Sequence, residues 1–259
     1  MTFEQEVEAI RAEYARREVA PQISGEYSFL NPVHAALVLD RERAILNALA
    51  AHLTLPLNKA EILDVGSGAG TSLALLAAYG ATSSNLHGVD ILEQRIAAAT
   101  RQFPSFDVVL GDGAIIPVPE ETFDLVQQIT MLSSVHNASL RERIAAEMVR
   151  VLRPGGLLLS YDVASVGLVP RVLNRGLRLI GREQAGQDEG PAEETELTPV
   201  HSLEEEELRR LFAPLEVLVI ERLTPYRPLV ERLVRRRALA GALIGARRWP
   251  SALLYVARR

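Results

Sequence analysis

From Glu61 to Asp162 short β-prone runs alternate with helical runs, and that alternation admits few folds. The runs Glu61–Val65, Asn85–Ile91, Asp107–Leu110, Phe123–Ile129 and Leu157–Asp162 read as strands, with helical spacing over 70–79, 92–102 and 139–152 between them. Repeated strand–helix–strand units bury their apolar residues when the strands run parallel and helices cover both faces. The expected fold is therefore α/β: a Rossmann-like, doubly wound sheet. Two further runs, Leu215–Leu223 and Ser251–Ala257, bring it to seven strands, mostly parallel.

Segments outside this core carry their own signals. Residues 2–19 read as an amphipathic helix, with Thr2 and Gln5 as a capping box and Phe3, Val7, Ile10 and Tyr14 at helical spacing. A second helix is expected over 34–53. Ser139 and Glu142 suggest another capped start, stopped by Pro154-Gly155-Gly156, and Ser202 with Glu205 starts a helix reaching Phe212. Residues 1–55 are expected to form an N-terminal helical extension that helps close a pocket in the main domain, 56–259. Residues 163–200 and 224–250 are expected as lid or cap segments over it.

Composition removes several classes of function. The chain has no cysteine, which excludes thiolate metal sites, disulfides and cysteine nucleophiles. No apolar run reaches the roughly 18 residues of a membrane-spanning helix. The acidic start, Met-Thr-Phe-Glu-Gln-Glu, lacks the basic region of a secretory signal, so a cytoplasmic location is expected. A net charge of −5 argues against a nucleic-acid partner. Charge is segregated: ten acids and no Lys or Arg lie between Glu183 and Glu207, whereas Arg222–Arg259 holds ten arginines against Glu231 alone. The basic stretches Arg171–Arg182 and Arg227–Arg248 suit phosphate or the inner membrane face, or form the solvated side of a helical cover. No His, Asp or Glu cluster has metal-ligand spacing, so no metal is expected.

The sharpest chemical signal is Glu61-Ile-Leu-Asp64-Val-Gly66-Ser67-Gly68-Ala-Gly70, a strand entering a glycine turn at a helix start. Glycines there let backbone approach a ligand closely. The dinucleotide pattern G-x-G-x-x-G would place a small residue at Thr71, whereas here a carboxylate precedes G-x-G-x-G. Asp64 would attract an ammonium and repel a pyrophosphate, which favours a cofactor bearing an amino acid. Asp90, ending the second strand, has acceptor oxygens for a ribose diol. Asp112, in Leu110-Gly-Asp112-Gly113-Ala114, can accept from an exocyclic adenine amine while the Ala114 N–H faces a ring nitrogen.

With Val151-Leu-Arg-Pro154-Gly155-Gly156-Leu-Leu-Leu, these elements over Ala60–Asp162 resemble the class I S-adenosylmethionine-dependent methyltransferase family, of the type 11 kind. The resemblance implies that Asp64, Gly66, Ser67, Gly68 and Gly70 hold the methionine part of S-adenosylmethionine. It implies that Asp90 takes the ribose, that Ile91 and Leu92 pack the adenine, and that Asp112, Gly113 and Ala114 read its edge. Gln128 and Ile129 would line the cofactor and substrate mouth. Tyr27-Ser-Phe-Leu-Asn-Pro and Thr130-Met-Leu-Ser-Ser are similar to bacterial enzymes of glycan and lipid-linked sugar modification.

Methyl transfer from a sulfonium is an in-line displacement, so alignment matters more than covalent machinery. A hydroxyl acceptor also needs a base. His136, after the fourth strand, is the candidate catalytic residue, with His201 a second one that a lid could bring over. The expected reaction is O-methylation of a sugar hydroxyl on a small-molecule or lipid-linked acceptor. The alternatives are C-methylation of a quinone or isoprenoid diphosphate, and a silent cofactor-binding module that regulates a partner.

Overall fold

The computed structural model describes residues 3–18, 29–165, 201–225 and 250–259. The expected lid segments 163–200 and 224–250 lie almost wholly outside the described residues, with Thr2, both basic stretches and most of the acidic run. Their inner ends belong to strands: Val163 closes one strand, Pro225 another, and Pro250 opens the last.

Among the described residues two α-helices, α1 (Phe3–Glu18) and α2 (Pro32–His52), precede the sheet. Asn31 caps α2, its side chain accepting from the Val33 and His34 amides, with Pro32 at the first position where no N–H is needed. The alternating core follows as β1 (Ile62–Val65), α3 (Thr71–Ala78), β2 (Leu86–Asp90), α4 (Glu93–Gln102), β3 (Asp107–Leu110), β4 (Phe123–Ile129), α5 (Ala138–Val151) and β5 (Leu152–Val163). After the undescribed stretch come α6 (Glu205–Leu211), β6 (Glu216–Pro225) and β7 (Pro250–Arg258).

The seven strands form one sheet in the order β3-β2-β1-β4-β5-β7-β6. β1 to β5 pair in parallel, and β7 runs antiparallel to both β5 and β6. Strand order reverses between β1 and β4, and their carboxyl ends there open a crevice, the usual ligand position of such a sheet. The mostly parallel seven-stranded sheet expected from the strand–helix alternation is the sheet observed.

Side-chain alternation divides the core in two. Leu63, Val65, Val89, Val126 and Leu158 point to one face and pack on Ile144, Met148 and Val151 of α5. Ile62, Leu86, Leu125, Leu157 and Leu159 point to the other, under Ile45 and Leu49 of α2 and Leu73 and Leu76 of α3. Each fully buried Leu or Ile contributes about 1.5–3 kcal/mol, so these faces fix the register.

Two helix starts differ from expectation. α5 is capped by Asn137, whose side chain accepts from the Leu140 amide, and Ser139 lies inside the first turn. The carbonyls of Val135 and His136 are held by Arg141, which sets the approach of the chain. α6 starts at Glu205 rather than near Ser202 because 201–203 is extended: His201 N–H donates to Ser133 O and Leu203 N–H to Val163 O. Likewise β5 begins at Leu152, since Gly155 and Gly156 exchange backbone hydrogen bonds with Arg259 and keep the turn in the sheet.

Candidate functional site

The crevice holds a cavity with about 810 Å³ of empty space, counting the part open to solvent. Its floor is the ends of β1 and β2 with the glycine turn: Val65, Gly66, Val89 and Asp90. One wall is Ile91, Leu92, Gly111, Asp112 and Gly113. The opposite wall is Ile129, Thr130, Met131, Ser134 and Val135, and α1 closes the top with Val7, Ile10 and Tyr14.

The glycine turn is organised by its own strand neighbours. Gly66, Gly68 and Gly70 take φ of 76°, 54° and 80°, the left-handed region that side chains disfavour. The Gly66 and Ser67 amides both donate to Val89 O, and the Gly70 amide donates to Ser67 O. Gly68 N–H donates to Asp90 Oδ2 at 2.8 Å, and Leu92 N–H to Asp90 Oδ1 at 2.9 Å. Asp90 therefore braces the turn against the start of α4. A carboxylate has about four lone-pair sites, so each oxygen keeps one for a ligand hydroxyl.

Other expected residues fall in different places. Asp112 reaches the cavity, but the Ala114 amide donates to Asp112 Oδ1 at 2.8 Å, so the expected contact of that N–H with a ring nitrogen is replaced by a local turn. Gln128 is fully buried below the wall, not at the mouth, while Ile129 lines the cavity. The Gln128 amide donates to Ser160 Oγ and Asp162 Oδ2, and its oxygen accepts from the Met131 and Leu132 amides. His136 is exposed and absent from the cavity wall. His201 is half-buried outside the wall, its Nε2 2.8 Å from Glu207 Oε2.

Asp64 alternates with Leu63 and Val65 and so turns to the α2 side of the sheet. It is buried beneath the turn rather than in the cavity wall. Burial pushes its carboxyl from 3.8 to about 7, with the Gln127 side chain opposing, the Asp90 charge adding and the Arg41 charge opposing. Its Oδ1 and the nearby Ser67 Oγ are both buried without a hydrogen-bond partner. Ser67 Oγ fills the space over Gly88, Asp64's partner across the strands, where an added Cβ would lie 2.6 Å away. Two orphaned polar atoms under a ligand-approaching turn are what a cationic or hydrogen-bonding group would satisfy.

Several lining residues carried no motif. Arg95 lies one turn into α4 with its guanidinium 4.3 Å from the Tyr14 ring centroid, a cation–π contact that docks α1. Tyr14 OH is 3.3 Å from Ser134 Oγ, and the buried Glu6 accepts from the Asn137 amide at 2.7 Å. The helical spacing of Val7, Ile10 and Tyr14 showed that α1 needed a partner surface. The structure adds that Val7, Ile10 and Tyr14 are the α1 residues that line the cavity.

The comparisons agree with this geometry. Residues 63–160 match the family model described as "Methyltransferase domain". Phthiotriol/phenolphthiotriol dimycocerosates methyltransferase 1 of Mycobacterium ulcerans is 32% identical over 108 residues, covering 39% of this chain and 37% of that protein. Demethylmenaquinone methyltransferase of Beutenbergia cavernae is 32% identical over 150 residues, covering 57% and 58%. The matches thus span only part of these curated relatives.

Among solved structures, a possible histamine N-methyltransferase of Thermotoga maritima has a TM-score of 0.58 at 17% identity, covering 92% of this chain and 96% of that one. Geranyl diphosphate C-methyltransferase of Streptomyces coelicolor A3(2), solved with Mg²⁺, geranyl diphosphate and S-adenosyl-L-homocysteine, has a TM-score of 0.55 at 17% identity, covering 84% and 77%. Residues 63–160 thus match the methyltransferase-domain family model, and the chain has the Rossmann-like fold of class I S-adenosylmethionine-dependent methyltransferases.

Proposed function

We propose that the chain transfers a methyl group from S-adenosylmethionine to a carbon of an apolar, lipid-like acceptor. The observation that carries the cofactor is a single cavity onto which the glycine turn, Asp90 and Asp112 converge under α1. The free lone pairs of Asp90 would accept from the ribose hydroxyls and Asp112 from the adenine amine. Ile91 and Leu92 would flank the ring. The Asp64 carboxylate, buried beneath the turn, would attract the methionine ammonium through space.

When bound, the cofactor supplies an activated methyl on a sulfonium, and the chain's residues bind, orient and exclude water. Val7, Ile10, Met131, Val135, Leu140 and Ile144 give the remaining cavity an apolar lining. Such a lining desolvates an acceptor and favours a carbon nucleophile within a lipid-like body. The sugar-hydroxyl acceptor expected from the sequence needs a base at the mouth, and the exposed His136 does not line the cavity. The names of the demethylmenaquinone and geranyl diphosphate relatives also favour C-methylation.

Calorimetry with S-adenosylhomocysteine tests the cofactor. Labelled S-adenosylmethionine, offered with demethylmenaquinone-type quinones, isoprenoid diphosphates and sugar-bearing lipids, tests the acceptor. Label in a base-stable carbon linkage supports this assignment. Label confined to a sugar methyl ether overturns it, and cofactor binding without turnover on any of these acceptors points to the silent module.

A further inference from the structure

We infer that Asp162, acting with Gln128, is a positioning residue that sets the cavity wall at residues 130–135. Thr130, Met131, Ser134 and Val135 all face the cavity, yet beyond the end of β4 this segment has only a single 3₁₀ turn, Leu132–Ser134, and no strand partner along it. Thr130 sits at φ +59°, a left-handed conformation that a β-branched residue adopts only when its surroundings impose it.

The constraint comes from beneath. Asp162, at the end of β5, is fully buried and touches three donors: Ser133 N–H and Gln128 Nε2 on Oδ2, at 3.0 and 3.2 Å, and Val163 N–H on Oδ1, at 2.8 Å. Pinned in this way, and by Ser160 Oγ at 2.6 Å, the Gln128 amide presents its oxygen to Met131 N–H at 2.9 Å and Leu132 N–H at 3.3 Å. One carboxylate thereby fixes three consecutive amides of the wall, two of them through Gln128. Burial pushes the Asp162 carboxyl up to about 6, and the Ser133, Val163 and Gln128 donors pull it back, so near neutral pH it is ionised and every donor meets an acceptor.

A second set of contacts holds the far end of the same segment. Arg141, itself buried, donates to Val135 O and His136 O at 2.6 and 3.0 Å and to Glu207 at 2.9 Å. Glu207 also pairs with His201, whose amide donates to Ser133 O. The two sets meet at Ser133, its N–H on Asp162 and its carbonyl on His201. The wall is therefore anchored by strand β5 on one side and by the chain entering α6 on the other.

The test compares Asp162→Asn and Gln128→Met, with the β1 amides of each variant as the internal reference. Asparagine loses the charge and turns an N–H₂ either on Ser133 N–H and Gln128 Nε2, the two donors on Oδ2, or on Val163 N–H, the donor on Oδ1. Methionine removes the acceptor for the 131 and 132 amides without shortening the side chain. Hydrogen exchange on ligand-free protein should show the Met131, Leu132 and Ser133 amides losing about tenfold or more protection in Asp162→Asn. In Gln128→Met, Met131 and Leu132 should lose it, while β1 amides stay unchanged in both. Protection unchanged in Gln128→Met, or lost equally across β1, overturns the proposal even if Asp162→Asn fails to fold.

A second arm rests on the cofactor assignment: the dissociation constant for S-adenosylhomocysteine should rise about tenfold in Gln128→Met. An unchanged constant in Gln128→Met overturns the link between wall and cofactor. Absence of binding to the wild-type protein overturns the cofactor assignment instead, and the exchange result then decides the positioning role alone.

Discussion

Replacing Asp64 by asparagine should make the protein more stable at alkaline pH and less able to hold its cofactor. Burial has raised the carboxyl from 3.8 to about 7, so the native state binds that proton more tightly than the unfolded chain does. Stability from a group of this kind is fully present below 3.8 and is lost as pH rises through about 7. At about 1.4 kcal/mol per tenfold change in proton affinity, the loss amounts to about 4 kcal/mol. Asparagine cannot ionise, so its stability curve lacks this fall. Its amide also leaves a polar atom unsatisfied, a roughly pH-independent cost of about 1–3 kcal/mol.

The decisive quantity is therefore the change with pH in the stability difference between variant and wild type, in which the fixed cost cancels. Urea unfolding from about pH 4 to about pH 8 should show that difference moving by about 4 kcal/mol in favour of Asp64→Asn. In the same variant the affinity for S-adenosylhomocysteine should fall several-fold, because the carboxylate beneath the turn attracts the ammonium through space without touching it. Parallel stability curves would refute the burial argument. Unchanged affinity would refute the role given to the carboxylate, whatever the stability curves show.

Other perturbations separate the parts of the site. Asp90→Ala removes the acceptor of the Gly68 and Leu92 amides as well as the ribose contact, so calorimetry should show affinity for S-adenosylhomocysteine falling about 100-fold or more. Gly66→Ala puts a Cβ at positive φ and into the Met131 side chain, and thermal unfolding should reveal a destabilisation of about 1–3 kcal/mol. Tyr14→Ala removes the ring on Arg95 and the contact with Ser134. Stopped-flow measurements should find ligand dissociation accelerated several-fold, with a loss in global stability of only about 1 kcal/mol. His136→Ala should leave both cofactor affinity and methyl transfer within about twofold, since the side chain is exposed away from the cavity, and a 100-fold loss of turnover would restore the base expected from the sequence.

Much of the fold was legible because it rests on local and periodic signals. The run Ile62–Val65 entering Gly66–Gly70 can only be a strand feeding a tight turn, and the alternation after it calls for a parallel sheet. The three acids at the ends of the first three strands were equally visible, since strand ends in such a sheet lie at one rim. What the sequence could not reveal is which way each side chain faces and where its lone pairs go. Asp64, one residue out of phase with Val65, faces α2 instead of the cavity, and the Ala114 amide is spent on its neighbour Asp112. Gln128 looked like a mouth residue, yet pairing with Ser160 and Asp162, 32 and 34 residues away, draws it beneath the wall. His136 stood in the right loop, but the anchoring of Val135 and His136 carbonyls by Arg141 leaves its ring in solvent. Periodicity determines which residues are apolar neighbours along one element. The partner of a buried polar group is chosen only when distant segments meet, so the cavity's walls were decided by tertiary contacts.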